Sequence, residues 1–198
     1  MIFRKYFTRF QKPSFFRRTS IRSTGFSCKT ALFYAIAFIL SLQATFTFAR
    51  SEQEIKAAYL YNFIKFINWP KPLNNPAINL CILGDDPLNE NLKHLDQRPI
   101  HGTPIHTIHL KRLPLLSSCH IVFIGRSETQ FVDEIFTTLG QDPVLTVSTI
   151  DKFASLGGTI GFITLGNVVR FNINLKHAQY ANLTISSKLL ELANDVVK

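Results

Sequence analysis

The chain has 198 residues, the size of one ordinary domain, and its formal charge is +9 at pH 7. Eight of its 22 Lys and Arg residues lie within residues 1–49, and none of its 13 Asp and Glu residues does. The 14 cations and 13 acids of residues 50–198 therefore give a net charge of only +1. This balance offers no basic surface for phosphates, so we expect no nucleic-acid partner.

The first 49 residues have the order of a secretory signal peptide. A basic region is followed by an apolar run over residues 31–42 and then by Thr47-Phe48-Ala49. The small residues Thr47 and Ala49 predict cleavage before Arg50 and export from the cytosol. An uncleaved membrane anchor is the alternative, because residues 31–49 are nearly long enough to span a bilayer.

The domain, residues 50–198, begins with a helical pattern. Ser51 and Glu54 have the spacing of a capping box, in which each side chain bonds the other residue's backbone N–H. Apolar side chains then recur at helical spacing at Ile55, Tyr59, Phe63 and Phe66. The helix should end near Trp69, because Pro70 disfavours helical backbone at the preceding residue.

Two short apolar runs, residues 77–83 and 120–125, indicate neighbouring strands buried on both faces. Gly84 and then Asp85-Asp86-Pro87 follow the first run and lead into a short helix over residues 88–95. A further strand is predicted over residues 105–110.

The rest of the domain alternates helices and strands. Ser127 to Gln130 resembles a second capping box before a helix that Gly140 ends. A strand over 144–147 precedes a short helix capped by Ser148 and Asp151. The last elements predicted are a hairpin of residues 159–164 and 168–174, and helices over 175–181 and 186–197. This order predicts an α/β fold, a three-layer sandwich with a mainly parallel central sheet and an antiparallel C-terminal hairpin.

Removal of the leader would take Cys28 and leave Cys81 and Cys119. The two lie on or beside the two buried strands, and an oxidising compartment would favour a disulfide between them. Two buried free thiols are the alternative. A zinc site is disfavoured, because these isolated cysteines lack the paired spacing of zinc ligands.

Few residues of the domain are candidates for catalysis or ligand binding. Asp85 and Asp86 follow a core strand, where α/β proteins often bind ligands, but acids at the start of a helix are common. His101, His106 and His109 look like metal ligands until the strand is laid out, since alternation places His106 and His109 on opposite faces. We therefore predict no metal, no cofactor and no catalytic residue.

Arg170, on the polar face of its strand and near Asn172, could bind a carboxylate or phosphate through two hydrogen bonds. A solvated strand face is the alternative interpretation. Together with Asp85 at the strand ends, Arg170 suggests a small-molecule binding module as a second function hypothesis.

An ordered set of short stretches makes the chain resemble the YfiR family of bacterial periplasmic proteins. The stretches are residues 56–70 (KAAYLYNFIKFINWP), 80–87 (LCILGDDP), 119–124 (CHIVFI), 145–148 (LTVS), 170–174 (RFNIN) and 185–193 (ISSKLLELA). They span most of residues 52–197. Asn172 departs from the pattern, since the family more often has Glu there.

The resemblance implies a non-catalytic regulator. The family's namesake is a periplasmic dimer that represses an inner-membrane diguanylate cyclase by binding its periplasmic sensor region, and an outer-membrane lipoprotein can sequester it. Cys81–Cys119 resembles one of the namesake's two disulfides, and the other has no counterpart here. We expect partner contacts near Trp69 and on the C-terminal hairpin, with Asp85, Arg170 and Asn172 as further contact candidates.

Overall fold

The structure is a computed structural model that describes residues 50–70, 76–111 and 113–198, so the predicted signal peptide lies outside the described residues. Its α-helices are α1 (Glu52–Phe66), α2 (Asn89–Lys93), α3 (Val132–Leu139), α4 (Leu175–Tyr180) and α5 (Ser187–Leu192). Its strands are β1 (Ile67–Asn68), β2 (Ile78–Leu83), β3 (Pro99–Ile100), β4 (Thr103–Leu110), β5 (Ile121–Ile124), β6 (Leu145–Ser148), β7 (Ile160–Leu165), β8 (Val168–Asn174), β9 (Thr184–Ile185) and β10 (Asp195–Val197). Two 3-10 helices span Leu113–Ser118 and Arg126–Phe131.

The central sheet has eight strands in the order β10-β8-β7-β6-β5-β2-β4-β3. The strands β4, β2, β5, β6 and β7 pair in parallel, and β7 pairs with β8 as the predicted antiparallel hairpin. The short strands β1 and β9 form a separate antiparallel pair. The α/β class, the mainly parallel sheet and the C-terminal hairpin are therefore confirmed.

Helices cover both faces of the sheet, as a three-layer sandwich requires. Alternate residues of β2 point to opposite faces, with Leu80 and Ile82 in one core and Cys81 and Leu83 in the other. The first core packs against α1 and the second against α3. In the part of the chain that the structure describes, no helix is both long and apolar enough to cross a membrane.

The first helix starts at the predicted capping box. Ser51 Oγ accepts the Glu54 N–H at 3.1 Å, and a Glu54 carboxylate oxygen accepts the Ser51 N–H at 3.3 Å. An unpredicted buried cation, Lys56, lies on the same helix and pairs with the carboxylate of Glu52. The hydroxyl of Thr164 donates to the same Glu52 oxygen at 2.9 Å and joins the helix to β7.

The predicted disulfide is present. Cys81 lies inside β2 and Cys119 just before the neighbouring strand β5, with their Cα atoms 5.9 Å apart. Both side chains are buried in the core that faces α3. The bond therefore joins the two central strands near the amino end of β5.

The opposite ends of β2 and β5 are joined by backbone contacts. The chain runs from β2 to β4 on one side and returns to β5 on the other, so a crevice for ligands is expected at the carboxyl ends of these two strands. Here the Gly125 N–H donates to the Leu83 carbonyl at 2.8 Å. A Cβ atom on Gly125 would lie 2.7 Å from the Asp85 carbonyl oxygen. The two loops are in close backbone contact, and the crevice is closed.

Two predicted caps are wrong. Ser127 does not cap a helix, because its hydroxyl accepts the N–H of Asp85 and the segment Arg126–Phe131 forms a 3-10 helix before α3. Ser148 and Asp151 likewise cap no helix, since residues 151–157 form successive turns. The Ser148 hydroxyl instead donates to the Ile124 carbonyl at 2.7 Å and accepts the Ile150 N–H.

The C-terminal helix predicted over residues 186–197 is also wrong in its second half. Helix α5 ends at Leu192, and β10 then pairs in parallel with β8 as an edge strand of the sheet. The Asn194 N–H donates to the Phe171 carbonyl at 2.8 Å and starts this pairing. The short strands β1, β3 and β9 were not predicted, because two-residue strands have no periodic pattern.

Replacement of both Cys81 and Cys119 by Ala should lower the free energy of unfolding by about 4 kcal/mol, because the bond closes a loop with a sequence separation of 38. Urea denaturation of the oxidised protein and the double variant measures the difference. A reducing agent should destabilise the wild type by a similar amount and leave the variant unchanged. An equal stability of oxidised and reduced wild type would contradict the structural role of the bond.

Gly125→Ala should destabilise the protein by about 1–3 kcal/mol, because the added Cβ meets the backbone of Asp85, which two hydrogen bonds to Ser127 hold in place. Gly166→Asn is the matched control. Gly166 lies at the hairpin turn with φ +59° and open space around it, and Asn tolerates this left-handed backbone. Equal thermal stability of the Gly125 variant and the wild type would argue against tight contact between the two loops.

Candidate functional site

A buried carboxylate organises the carboxyl end of the sheet. The side chain of Asp86 is only 2% exposed, and its two oxygens accept the Leu88 N–H at 2.9 Å and the hydroxyl of Thr149. The guanidinium of Arg126 lies 3.9 Å from the same carboxylate, and its Nε donates to Thr149 Oγ1 at 3.3 Å. Burial of this charge is therefore offset by an opposite charge and by hydrogen bonds.

This network connects the loops after β2, β5 and β6. Asp86 follows β2, Arg126 follows β5 and Thr149 follows β6. The sequence pattern indicates Asp86 but neither Arg126 nor Thr149. Arg126, like Asp85, is a polar residue that follows a buried strand and a glycine. This pattern could have indicated Arg126 from the sequence. Since each oxygen of Asp86 already accepts a hydrogen bond, the network serves structure better than acid–base chemistry.

Asp85 contributes its backbone to the closed crevice. Its N–H donates to Ser127 Oγ at 2.8 Å and its carbonyl accepts the Ser127 N–H at 3.3 Å, while the residue itself is exposed. Because Asp85 is exposed, its carboxylate is open to solvent and is not enclosed in a pocket.

Arg170 and Asn172 lie far from Asp85. Both are on β8, and β5, β6 and β7 separate β8 from β2 in the sheet, a distance of about 19 Å at the usual strand spacing. Arg170 is exposed. Asn172 Oδ1 accepts a hydrogen bond from Asn194 Nδ2 at 3.0 Å and so helps to hold β10. The structure does not bring these residues together with Asp85 into one site.

Trp69 lies at the amino end of the parallel strands, against His120. The two rings meet edge to face with their centroids 6.5 Å apart. Trp69 also lines a shallow cleft of about 370 Å³, whose other wall includes Gln179 and Thr184. The cleft lies beside the β1–β9 pair, where Asn68 pairs with Thr184.

His120 is held in its neutral form by its surroundings. Its Nδ1 accepts the backbone N–H of Asn79 at 2.9 Å, and the backbone N–H of His120 donates to the Asn79 carbonyl at 3.0 Å. A protonated Nδ1 could not accept this bond. Burial lowers the pKa of His120, and burial likewise lowers the pKa of His177.

The remaining histidines do not form a metal centre. His106 and His109 are both exposed on β4, and His106 Nδ1 lies 3.6 Å from a carboxylate oxygen of Asp96. Within residues 50–70, 76–111 and 113–198, no three metal-ligating side chains of the Cys, His, Asp or Glu type come together.

The free energy of unfolding should be nearly constant above the ordinary His pKa of 6.5 and should fall as the pH drops from 6.5 to about 5. Stability falls with falling pH because the unfolded chain binds protons in this range that the buried His120 and His177 of the folded protein do not bind. Urea denaturation at several pH values measures the slope. His120→Gln should reduce the slope, whereas His109→Gln, at an exposed position, should not. An unchanged slope in the His120 variant would contradict this assignment.

Comparisons with solved structures show the fold. A conserved domain protein from Vibrio cholerae O1 biovar El Tor matches with a TM-score of 0.50 and 9% identity over 74% of this chain. An ABC domain in complex with L-Trp from Streptococcus pneumoniae matches with a TM-score of 0.49 and 10% identity over 71% of this chain. In each case the match covers 60% of the other chain.

A comparison with curated proteins found no match. A family model described as YfiR/HmsC-like matches residues 53–194, nearly the whole domain. This range includes α1, the disulfide, the Asp86 network and the C-terminal hairpin. The chain belongs to the YfiR/HmsC-like family.

Proposed function

We propose that this protein is a periplasmic, non-catalytic regulator that binds and represses the periplasmic sensor region of an inner-membrane diguanylate cyclase. The family match over residues 53–194 carries the proposal, since it supports a regulator of this kind at the level of the family. Changes in cyclic-di-GMP and in biofilm formation would follow from release of the cyclase.

The compartment is supported by two features of the chain. The basic and apolar leader has the order of a signal peptide, and we propose cleavage between Ala49 and Arg50. The disulfide between Cys81 and Cys119 is of a type that persists in oxidising compartments such as the periplasm.

The closed strand ends support a function without catalysis. The expected crevice between β2 and β5 is filled by the contact of Gly125 with Asp85. The most deeply buried carboxylate there, that of Asp86, is engaged by Arg126 and Thr149. The loops after β2 and β5 thus leave no crevice between them, and we place the function on the outer surfaces of the domain.

The β7–β8 hairpin offers a surface for the partner. Leu165 and Val168 face each other across the turn and are 55% and 50% exposed. Alternation places Arg170 on the same side of β8 as Val168. Two exposed aliphatic side chains beside an exposed arginine match the composition of binding hot spots, in which apolar contact is combined with Arg.

Trp69 is the second proposed contact. The indole is half-buried against His120 and forms one wall of the 370 Å³ cleft. It lies at the amino ends of the parallel strands, whereas the hairpin turn extends beyond their carboxyl ends. We propose that the two surfaces engage different partners, the cyclase sensor region on the hairpin and, at Trp69, a second copy in a homodimer or an outer-membrane lipoprotein.

The double variant Leu165→Glu with Val168→Glu should lose repression and raise cellular cyclic-di-GMP to the level of a deletion strain, because each charge would have to be buried at the interface. Capture of the cyclase from solubilised membranes by the tagged protein should fall at least tenfold. Thermal stability should be unchanged, because both positions are exposed.

Leu115→Glu is the matched control, since Leu115 is 53% exposed but lies before β5 at the opposite end of the sheet. It should bind and repress as the wild type does. Capture of no cyclase by the wild-type protein, together with normal cyclic-di-GMP in the deletion strain, would overturn the proposed function.

A further inference from the structure

A cleft of about 340 Å³ lies between the first turns of α1 and the segment that runs from α2 to β3. Arg50 and Arg98 line it, together with His94, Glu54 and the two small residues Ala57 and Ala58. Its volume is within the range of small-molecule sites. It shares no lining residue with the Trp69 cleft, and no residue of the Asp86 network lines it.

The cleft has a net positive charge, because two arginines and one carboxylate, that of Glu54, line it. Within the residues that the structure describes, no carboxylate oxygen lies within 4 Å of the guanidinium of Arg50 or Arg98. The single carboxylate in the lining, Glu54, accepts the Ser51 N–H as part of the capping box. Two guanidinium groups around one cleft favour a ligand with two negative charges.

Arg98 is held in place before any ligand arrives. Its guanidinium stacks over the ring of Tyr61 at 4.4 Å, and the Tyr61 hydroxyl donates to the Pro99 carbonyl at 2.8 Å. The backbone of Arg98 is fixed as well, because its carbonyl accepts the Ile105 N–H at 3.0 Å. Stacking uses the face of the guanidinium and leaves its N–H groups, which lie in the plane, free to donate.

The floor of the cleft is small and apolar. Ala57 is 6% exposed and Ala58 is half-buried, and these alanines stand in a helix whose other inward positions are mostly large. An organic group of modest size could pack on them while its anionic group lies between the arginines. His94 and its N–H donors lie on the same rim.

We propose that this cleft binds a phosphate dianion, either inorganic phosphate or the phosphate group of a small monoester, and that Arg98 is its principal ligand-binding residue. The tetrahedral dianion offers several acceptor oxygens at the spacing that a guanidinium fork recognises. The proposal does not depend on the cyclase as partner and gives the protein a small-molecule ligand of its own.

Titration of the purified protein, observed by backbone amide NMR at constant ionic strength in chloride, tests the proposal with inorganic phosphate in one arm and glycerol phosphate in the other. Saturable shifts should centre on Ala57, Ala58 and His94. Tighter binding of glycerol phosphate would assign an ester as the ligand, and tighter binding of inorganic phosphate would assign the free ion.

Arg98→Gln should weaken binding at least tenfold, because charge-assisted hydrogen bonds are lost. Tyr61→Leu keeps the charge and removes the stacking surface, so it should weaken binding by a smaller factor. Lys176→Gln, which removes an exposed cation on α4 outside the cleft, should bind as the wild type does. Absence of saturable shifts in both arms, or equal affinity of the Arg98 variant and the wild type, would overturn the proposal.

Discussion

The pairing of β2 with β5 is the constraint on which the rest of the molecule depends. These two strands form the centre of the sheet, and they are joined covalently near the amino end of β5 by Cys81–Cys119 and by backbone contact beyond their carboxyl ends at Gly125. Each strand contributes residues to both cores, so a shift between them would disturb the packing of α1 and α3 together. The disulfide holds together two strands that each contribute to both cores, so it helps to fix the helical layer on either face of the sheet.

This double attachment also decides where function can lie. An open sheet with this strand order would normally bind ligands at the carboxyl ends of its central strands. Here the Asp86 network and the Gly125 contact occupy that position. Surfaces available for recognition include the hairpin turn, the Trp69 cleft and the positive cleft around Arg98.

The sequence predicted what local patterns control. The capping box of α1 lies within four residues, and the apolar runs of β2 and β5 are continuous, so each is visible without knowledge of the fold. Long-range contacts decided the errors. Ser127 has the spacing of a cap, but its hydroxyl bonds Asp85, which is 42 residues away. Thr149 meets Asp86 across 63 residues, and Val196 fits a helical pattern as well as a strand until β8 provides a partner. The sequence does not reveal the strand order, so it could not show that three strands separate Arg170 from Asp85 and keep them out of one site.

The central claim is that the cell exports this domain and links Cys81 to Cys119. Its most direct test is mass spectrometry, under non-reducing conditions, of the protein recovered from the periplasm. We expect a chain that begins at Arg50 and a peptide in which Cys81 is linked to Cys119. A chain that keeps its leader and reacts with a thiol reagent at both cysteines would contradict the claim.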